Sequence, residues 1–385
     1  MRIAIFSNCY QPMVNGVVGA ITLLRKGFIE AGHEVYVFAP AFDDFVDHET
    51  GIYRYRSVDL TKEVKYPVAI PFSPRIQRII DGLDLDIIHS HHPFVLGPLS
   101  NKIARRKRIP TVYTFHTQYE QYSHYIPLPR QLVNTISRHK ITRFCESVNQ
   151  VTTPAESARQ ILIDYGVTRP IRVIPNPTNI PLEPIDGRKV REQYHLGDAK
   201  VLINIGRIAP EKNLGLLLES FALMLRRTTE PLKLMIVGDG PELPALKQLA
   251  GQLGIAEQVV FTGMVEPSKV PDYLAAADLF VMTSKSEVKP LSQLEALAAG
   301  LPIIAVAAPG ANDTIIHGEN GYLVQDDLEV ISRTVCELLA DVERLSRFRK
   351  AARQSAERYS YPRIAAEYLE VYRETMEAYK RAENS

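Results

Sequence analysis

Cysteine is scarce and tryptophan absent. Cys9, Cys145 and Cys336 lie far apart in 385 residues and form no CxxC pair. That excludes a disulfide framework and a cysteine-rich zinc centre, and fits a reducing compartment. No apolar run approaches the ~18 residues needed to cross a bilayer. Met1 runs directly into the strand-like Arg2-Ile3-Ala4-Ile5-Phe6, so the expectation is a cytoplasmic chain without a leader. Neither sign of charge dominates. A net charge of +1 excludes a generally cationic nucleic-acid binder. With 45% hydrophobic and 23% charged residues, wholesale disorder, collagen and coiled coil are excluded as well.

What is present is a charge asymmetry. Residues 1–180 carry a balance of +6 and residues 181–385 one of −5. Short apolar runs alternate with amphipathic stretches. Arg2–Ser7, Glu34–Phe38, Asp86–Ser90, Thr111–Phe115, Val151–Thr153 and Ile171–Ile174 read as strands, and Ala20–Ala31 as a helix. The stretch 175–184 holds four prolines and suits neither a helix nor a central strand. After it the rhythm restarts. Lys200–Ile205, Leu232–Val237, Val259–Phe261, Leu279–Met282 and Pro302–Val306 read as strands, Leu214–Arg226 as a helix, and Tyr361–Lys380 as a closing helix. The expectation is an α/β chain of two doubly wound Rossmann-like domains facing a cleft. Their bounds are 1–178 and 179–360, with 361–385 a helix free to pack back on the first domain. Ligands would sit outside the carboxyl ends of the strands.

Five places could carry chemistry. Glu287 and Glu295 flank Pro290, which suits the first turn of a helix. The free N–H groups of Leu291 and Ser292 would then make an anion site. Gly206-Arg207 with Glu211-Lys212-Asn213 puts two cations in one strand-end loop, suited to a phosphate or simply solvated. Gly238-Asp239-Gly240-Pro241 reads as a glycine turn. Asn15-Gly16-Val17 follows the first strand, where a glycine lets backbone approach a ligand. His116 ends a strand, where cleft residues sit. His89, His91 and His92 invite a metal reading, but no carboxylate or thiolate has matching spacing, so no metal is expected. Asp84-Leu85-Asp86 reads as structural.

In this order these residues resemble the retaining, nucleotide-sugar-dependent glycosyltransferases of family four, with the GT-B fold. The most specific part is Glu287 with seven residues before Glu295, followed by Ala-x-Ala-x-Gly-x-Pro. The resemblance implies that Arg207 and Lys212 bind the donor diphosphate and that Glu295 holds the ribose. It implies further that Glu287 holds a sugar hydroxyl and that His116 contacts the sugar near the reacting centre. Gly16 would near the phosphates, with Gly206 and Gly238 in the donor loops, and Lys269-Val270 would meet the base through backbone atoms. No cofactor is implied beyond the nucleotide sugar, UDP-linked by preference and GDP-linked as the other option. Where many relatives have an aromatic residue and a glycine, this chain has Lys289 and Pro290; the expectation is an added charge beside the donor. Motion about 175–184 would exclude water.

The segment Thr117–Pro127 resembles the diacylglycerol-glycosylating branch, the bacterial monoglucosyldiacylglycerol synthases. From Lys102 to Arg143 there are nine basic residues against the single acid Glu120, interleaved with tyrosines and aliphatic groups. Tyr119, Tyr122, His124, Tyr125, Arg130, Arg138 and Lys140 are the candidate acceptor and membrane residues. The expected activity is transfer of a hexose, glucose first, to 1,2-diacylglycerol on the cytoplasmic face of an anionic membrane. The alternative is a soluble or phosphorylated acceptor: a sugar phosphate, a phospho-polyol or phosphatidylinositol. A silent nucleotide-sugar scaffold and a two-Rossmann epimerase are the rivals from other classes. Nucleic acid is not an expected partner, and the sequence leaves the oligomeric state open.

Overall fold

A computed structural model describes residues 1–59, 67–116, 129–181, 185–285 and 289–384, with Arg130 represented by its backbone alone. The chain forms two compact units, one of Met1–Pro177 with Tyr361–Ser385 and one of Thr178–Ser360.

The first unit carries β1 (Arg2–Phe6), β2 (Glu34–Pro40), β3 (Ile52–Tyr55), β4 (Ser57–Asp59), β5 (Pro67–Ala69), β6 (Ile87–Ser90), β7 (Thr111–Thr114), β8 (Gln150–Thr153) and β9 (Ile171–Val173). Its main sheet is parallel, in the order β3-β2-β1-β6-β7-β8-β9, with β4 and β5 a small antiparallel pair. Strands covered by helices on both faces must be apolar on both. Accordingly Ile3 and Ile5 enter one core while Ala4 and Phe6 enter the other.

The sequence read β1, β2, β6, β7, β8 and β9 to within two residues at each end. It did not show β3, β4 or β5, which are short or half-exposed and lack a clean alternation. The first helix also starts earlier than its periodicity indicated, at Gly16 rather than Ala20, because the Asn15 side chain caps it by accepting the Val18 N–H at 2.9 Å. Gly16 is therefore a first-turn helical residue, not a loop glycine.

The closing helix, Tyr361–Glu383, belongs to the first unit. Gly27 makes room for it: a Cβ there would stand 2.6 Å from the Ala365 Cβ. A buried polar chain then fixes its register. The Tyr372 hydroxyl meets His89 Nδ1 at 2.7 Å, and His89 Nε2 meets Thr114 Oγ1 at 2.7 Å. Thr114 Oγ1 in turn meets Thr152 Oγ1 and the Tyr368 hydroxyl.

The second unit carries β10 (Lys200–Ile205), β11 (Leu232–Val237), β12 (Val259–Gly263), β13 (Leu279–Met282), β14 (Ile303–Val306) and β15 (Gly321–Val324). All pairs are parallel, in the order β12-β11-β10-β13-β14-β15. Side chains alternate strictly. Leu202, Leu234, Ile236, Leu279 and Val281 pack with the helices Leu214–Arg227 and Leu328–Ala340. Val201, Ile203, Met235, Phe280 and Met282 pack with the helix Leu291–Ala298 on the other face. The unit begins inside the proline-rich stretch: the Thr178 N–H donates to the Tyr359 carbonyl at 2.7 Å, and Thr178 bridges Ser360.

Tyr372→Phe leaves His89 Nδ1 buried without its partner. The expected cost is about 1–3 kcal/mol, read as a lower urea midpoint; an unchanged midpoint contradicts the stapling role of this chain of bonds.

Candidate functional site

In an open parallel sheet the ligand crevice opens where strand order reverses, outside the carboxyl ends. In the second unit that point lies between β10 and β13. Gly206-Arg207 leaves β10 there, and Thr283-Ser284 leaves β13.

The β10 loop is built by close backbone approach. The Gly206 N–H donates to Val237 O at 3.0 Å and the Ile208 N–H to Asp239 O at 2.9 Å. A Cβ on Gly238 would stand 1.9 Å from the Gly206 carbonyl oxygen, and one on Gly240 only 2.1 Å from that of Ile208. These glycines serve that approach as well as their own turn. Gly206 has φ +154° and no Cβ, and the Lys212 ammonium folds over the vacated face, 3.7 Å from where a Cβ would be. Lys212 is half-buried and Arg207 exposed.

The hydroxyls after β13 hold the cation loop. Thr283 Oγ1 donates to the carbonyls of Lys212 and Asn213 at 3.0 and 2.9 Å, and Ser284 Oγ donates to that of Glu211 at 3.0 Å. Both are fully buried. Sequence reasoning missed this pair. Its signal was two adjacent hydroxyl residues directly after a fully apolar strand at the reversal point.

Leu291 and Ser292 open the helix Leu291–Ala298, with Pro290 at its cap position. Their N–H groups precede the first intrahelical bond and form the positive end of the helix dipole. Glu295 lies one turn further, where burial pushes its carboxyl up to about 7. Lys269 and Val270 form the joint between a 3-10 turn and the helix Val270–Ala275. The exposed Lys269 side chain pairs with Glu266 at 3.4 Å, while Val270 is buried. Glu287 lies outside the described residues.

Lys289 corrects an expectation. Its ammonium is buried, donating to the Asp313 carbonyl at 2.9 Å and lying 4.8 Å from the centre of the Tyr359 ring. Burial brings it down to about 8. The charge is thus turned into the fold, tying the loop before Pro290 to the end of the unit, instead of standing beside a donor.

In the first unit the reversal point lies between β1 and β6. Gly16 follows β1, and nothing lies within 4 Å of where its Cβ would be. His91 and His92 follow β6, and His116 follows β7. The histidines bond to each other and to the fold. His92 Nδ1 accepts the Asn8 N–H at 3.2 Å, and His91 Nδ1 meets His116 Nε2 at 2.8 Å. Burial drives His89 and His116 down to about 3 and His92 to about 4. Among the described residues no three His, Cys, Asp or Glu are grouped to hold a metal ion. Asp84 and Asp86 hold Arg2 at the opposite, amino end of the sheet.

Tyr119, Tyr122, His124 and Tyr125 lie outside the described residues, as does the Arg130 side chain. Arg138 and Lys140 are exposed on the helix Arg130–Ser147, Arg138 also lying 4.8 Å from the Tyr165 ring centre. Leu132 and Ile136 are exposed one turn apart on the same helix. The basic run is not uniform, since Lys107 donates to the Ile80 and Asp81 carbonyls and Arg106 pairs with Asp81.

Comparison with known proteins matches residues 14–180 to the family model "Glycosyltransferase Family 4" and residues 187–355 to "Glycosyl transferases group 1". The chain is 34% identical to the alpha-monoglucosyldiacylglycerol synthase of Streptococcus pneumoniae, over 88% of this chain and 79% of that one. It is 31% identical to the enzyme of the same name from Acholeplasma laidlawii, over 87% of each. Among solved structures, Anabaena HepE in complex with UDP and glucose superposes with a TM-score of 0.77 at 20% identity, covering 96% of this chain and 99% of that one.

The raised Glu295 carboxyl generates a stability prediction. Unfolded, the group ionises near 4.5; folded, it keeps its proton up to about 7. Its contribution to stability therefore falls as pH rises from about 4.5 to about 7, and stays low above that. Glu295→Gln is expected to raise Tm relative to the unmodified chain at pH 8 and to change it little at pH 5. Equal shifts at both pH values contradict this.

Proposed function

The chain belongs to the GT-B glycosyltransferases of family four and is a hexosyltransferase, and from that premise we propose that it moves glucose from UDP-glucose to 1,2-diacylglycerol with retention of configuration. The observation that carries the donor half is the corner at Gly206, where a cation sits over a face with no side chain at the strand-order reversal. A diphosphate fits such a corner because backbone and charge reach it together.

In this reading Arg207, Lys212 and the N–H groups of Leu291 and Ser292 grip the diphosphate. Glu295 accepts from the ribose, Glu287 holds a sugar hydroxyl, and the backbone at Lys269-Val270 meets the base. Gly16 and His116 serve the donor from the first unit. As the bond from the sugar C1 to the phosphate oxygen breaks, negative charge grows on the leaving diphosphate. Fixed cations and helix-end N–H groups favour that state over the ground state. The acceptor hydroxyl adds to C1 on the same face, and its proton goes to the departing phosphate oxygen.

The acceptor half is supported by the names of the relatives and by the helix Arg130–Ser147. Exposed Leu132 and Ile136, with exposed Lys140 and Arg143 on the same face of that helix, suit an anionic membrane surface. At ~1 kcal/mol for each basic residue near the surface, docking is reversible and salt-dependent. The enzyme then works as a peripheral protein on the cytoplasmic face.

A screen of nucleotide sugars against mixed vesicles tests this. UDP-glucose with diacylglycerol is expected to yield an α-glucosyl lipid. Transfer to phosphatidylinositol or to a sugar phosphate, with none to diacylglycerol, overturns the acceptor assignment. Lys212→Ala is expected to lower turnover at least ~100-fold, the scale of losing one strong charge-stabilising contact; kinetics like those of the unmodified enzyme contradict the diphosphate assignment.

A further inference from the structure

Side chains alternate faces along a strand, and β6 pairs with β7. His89 and His91 therefore share a face with Thr114 and His116. Two rungs result: His89 Nε2 to Thr114 Oγ1 at 2.7 Å, and His91 Nδ1 to His116 Nε2 at 2.8 Å. His89 is satisfied at both nitrogens, because the Tyr372 hydroxyl meets its Nδ1. His91 is not. It is 1% exposed, and its Nε2 is buried with no partner among the described residues.

Burial and the neighbouring imidazoles hold His91 well below the usual histidine range, and burial above all brings His116 to about 3. Both rings are therefore neutral, and each carries one N–H. The 2.8 Å contact then has one donor. If His116 Nε2–H donated, the proton of His91 would sit on its Nε2, a buried donor with no acceptor among the described residues. If His91 Nδ1–H donates, Nε2 is a bare lone pair. A buried N–H without an acceptor is the rarer defect.

We infer that His91 is a positioning residue: its Nδ1–H donates to Nε2 of His116, which fixes His116 as the Nδ1–H tautomer and makes it a hydrogen-bond donor to an oxygen of the donor sugar. The ligand end of this assignment rests on the proposed glycosyl transfer; the tautomer does not. No described residue takes the Nδ1 of His116. With its Nε2 lone pair engaged, His116 has no free site to accept a proton. The acceptor hydroxyl must then lose its proton elsewhere, which agrees with the departing phosphate as the base.

The first test needs no substrate. In protein labelled with 15N-histidine, the His116 resonances are those lost in His116→Gln. The expected pattern is a pyridine-type Nε2 and a pyrrole-type Nδ1; the reverse pattern overturns the inference. The second test compares His91→Asn with His91→Phe. The asparagine amide places an N–H near the former Nδ1, whereas phenylalanine fills the ring space without a donor. Expected is a kcat loss of about 10–100-fold in the Phe variant, toward the scale of one misdirected hydrogen bond, with the Asn variant within a few-fold of wild type. A packing role predicts the opposite rank, and a Phe variant as fast as the Asn variant overturns the inference. Should glycosyl transfer itself be absent, the resonance pattern still decides the tautomer.

Discussion

A carbonyl oxygen of Gly206 stands where a side chain on Gly238 would have to be. That approach lets the loops after β10 and β11 lie against each other, joined by the bonds from Gly206 to Val237 and from Ile208 to Asp239. It also clears the face over which Lys212 folds. Any side chain at Gly238 would push the β10 loop outward and carry Lys212 with it. From the other side Thr283 and Ser284 pin the carbonyls of residues 211–213. The cation is thus placed by backbone on one flank and by two buried hydroxyls on the other. The backbone that carries Lys212 is held from both flanks.

The first unit's main sheet reverses in the same way, between β1 and β6. What stands there differs in kind. The second unit offers cations and helix-end N–H groups; the first offers a stack of neutral, buried imidazoles. Desolvation explains why they are neutral, and neutrality lets the rings stack and lets His91 bond to His116 instead of repelling it. The tail helix is part of this arrangement, because Tyr368 and Tyr372 supply the hydroxyls that complete the His89–Thr114 rung.

Much of this was legible in the sequence where one physical signal dominated. β10, β11 and β13 were read to the residue because an apolar run bounded by glycine or polar residues has one reading in a covered parallel sheet. Gly206 and Lys212 stood out because a glycine and two cations share one strand-end loop, and Pro290 and Glu295 because proline suits the first turn of a helix; the roles proposed for them came from the family resemblance. What stayed hidden depends on contacts between distant segments. Gly238 and Gly240 looked like turn residues because the carbonyls they avoid are about 30 positions away. Lys289 looked like a charge beside the donor because nothing local announces the Asp313 carbonyl and the Tyr359 ring that receive it. His91 is two residues from His89, yet His89 is satisfied at both nitrogens while the Nε2 of His91 has no partner among the described residues; only the segments packed against them distinguish the two.

The account stands on where a diphosphate binds. Crystals of the full chain soaked with UDP give the most direct reading. The account predicts the diphosphate over Gly206, against Lys212 and the first turn at Leu291-Ser292. Density for the diphosphate away from the loop 206–213 and from that turn would contradict it.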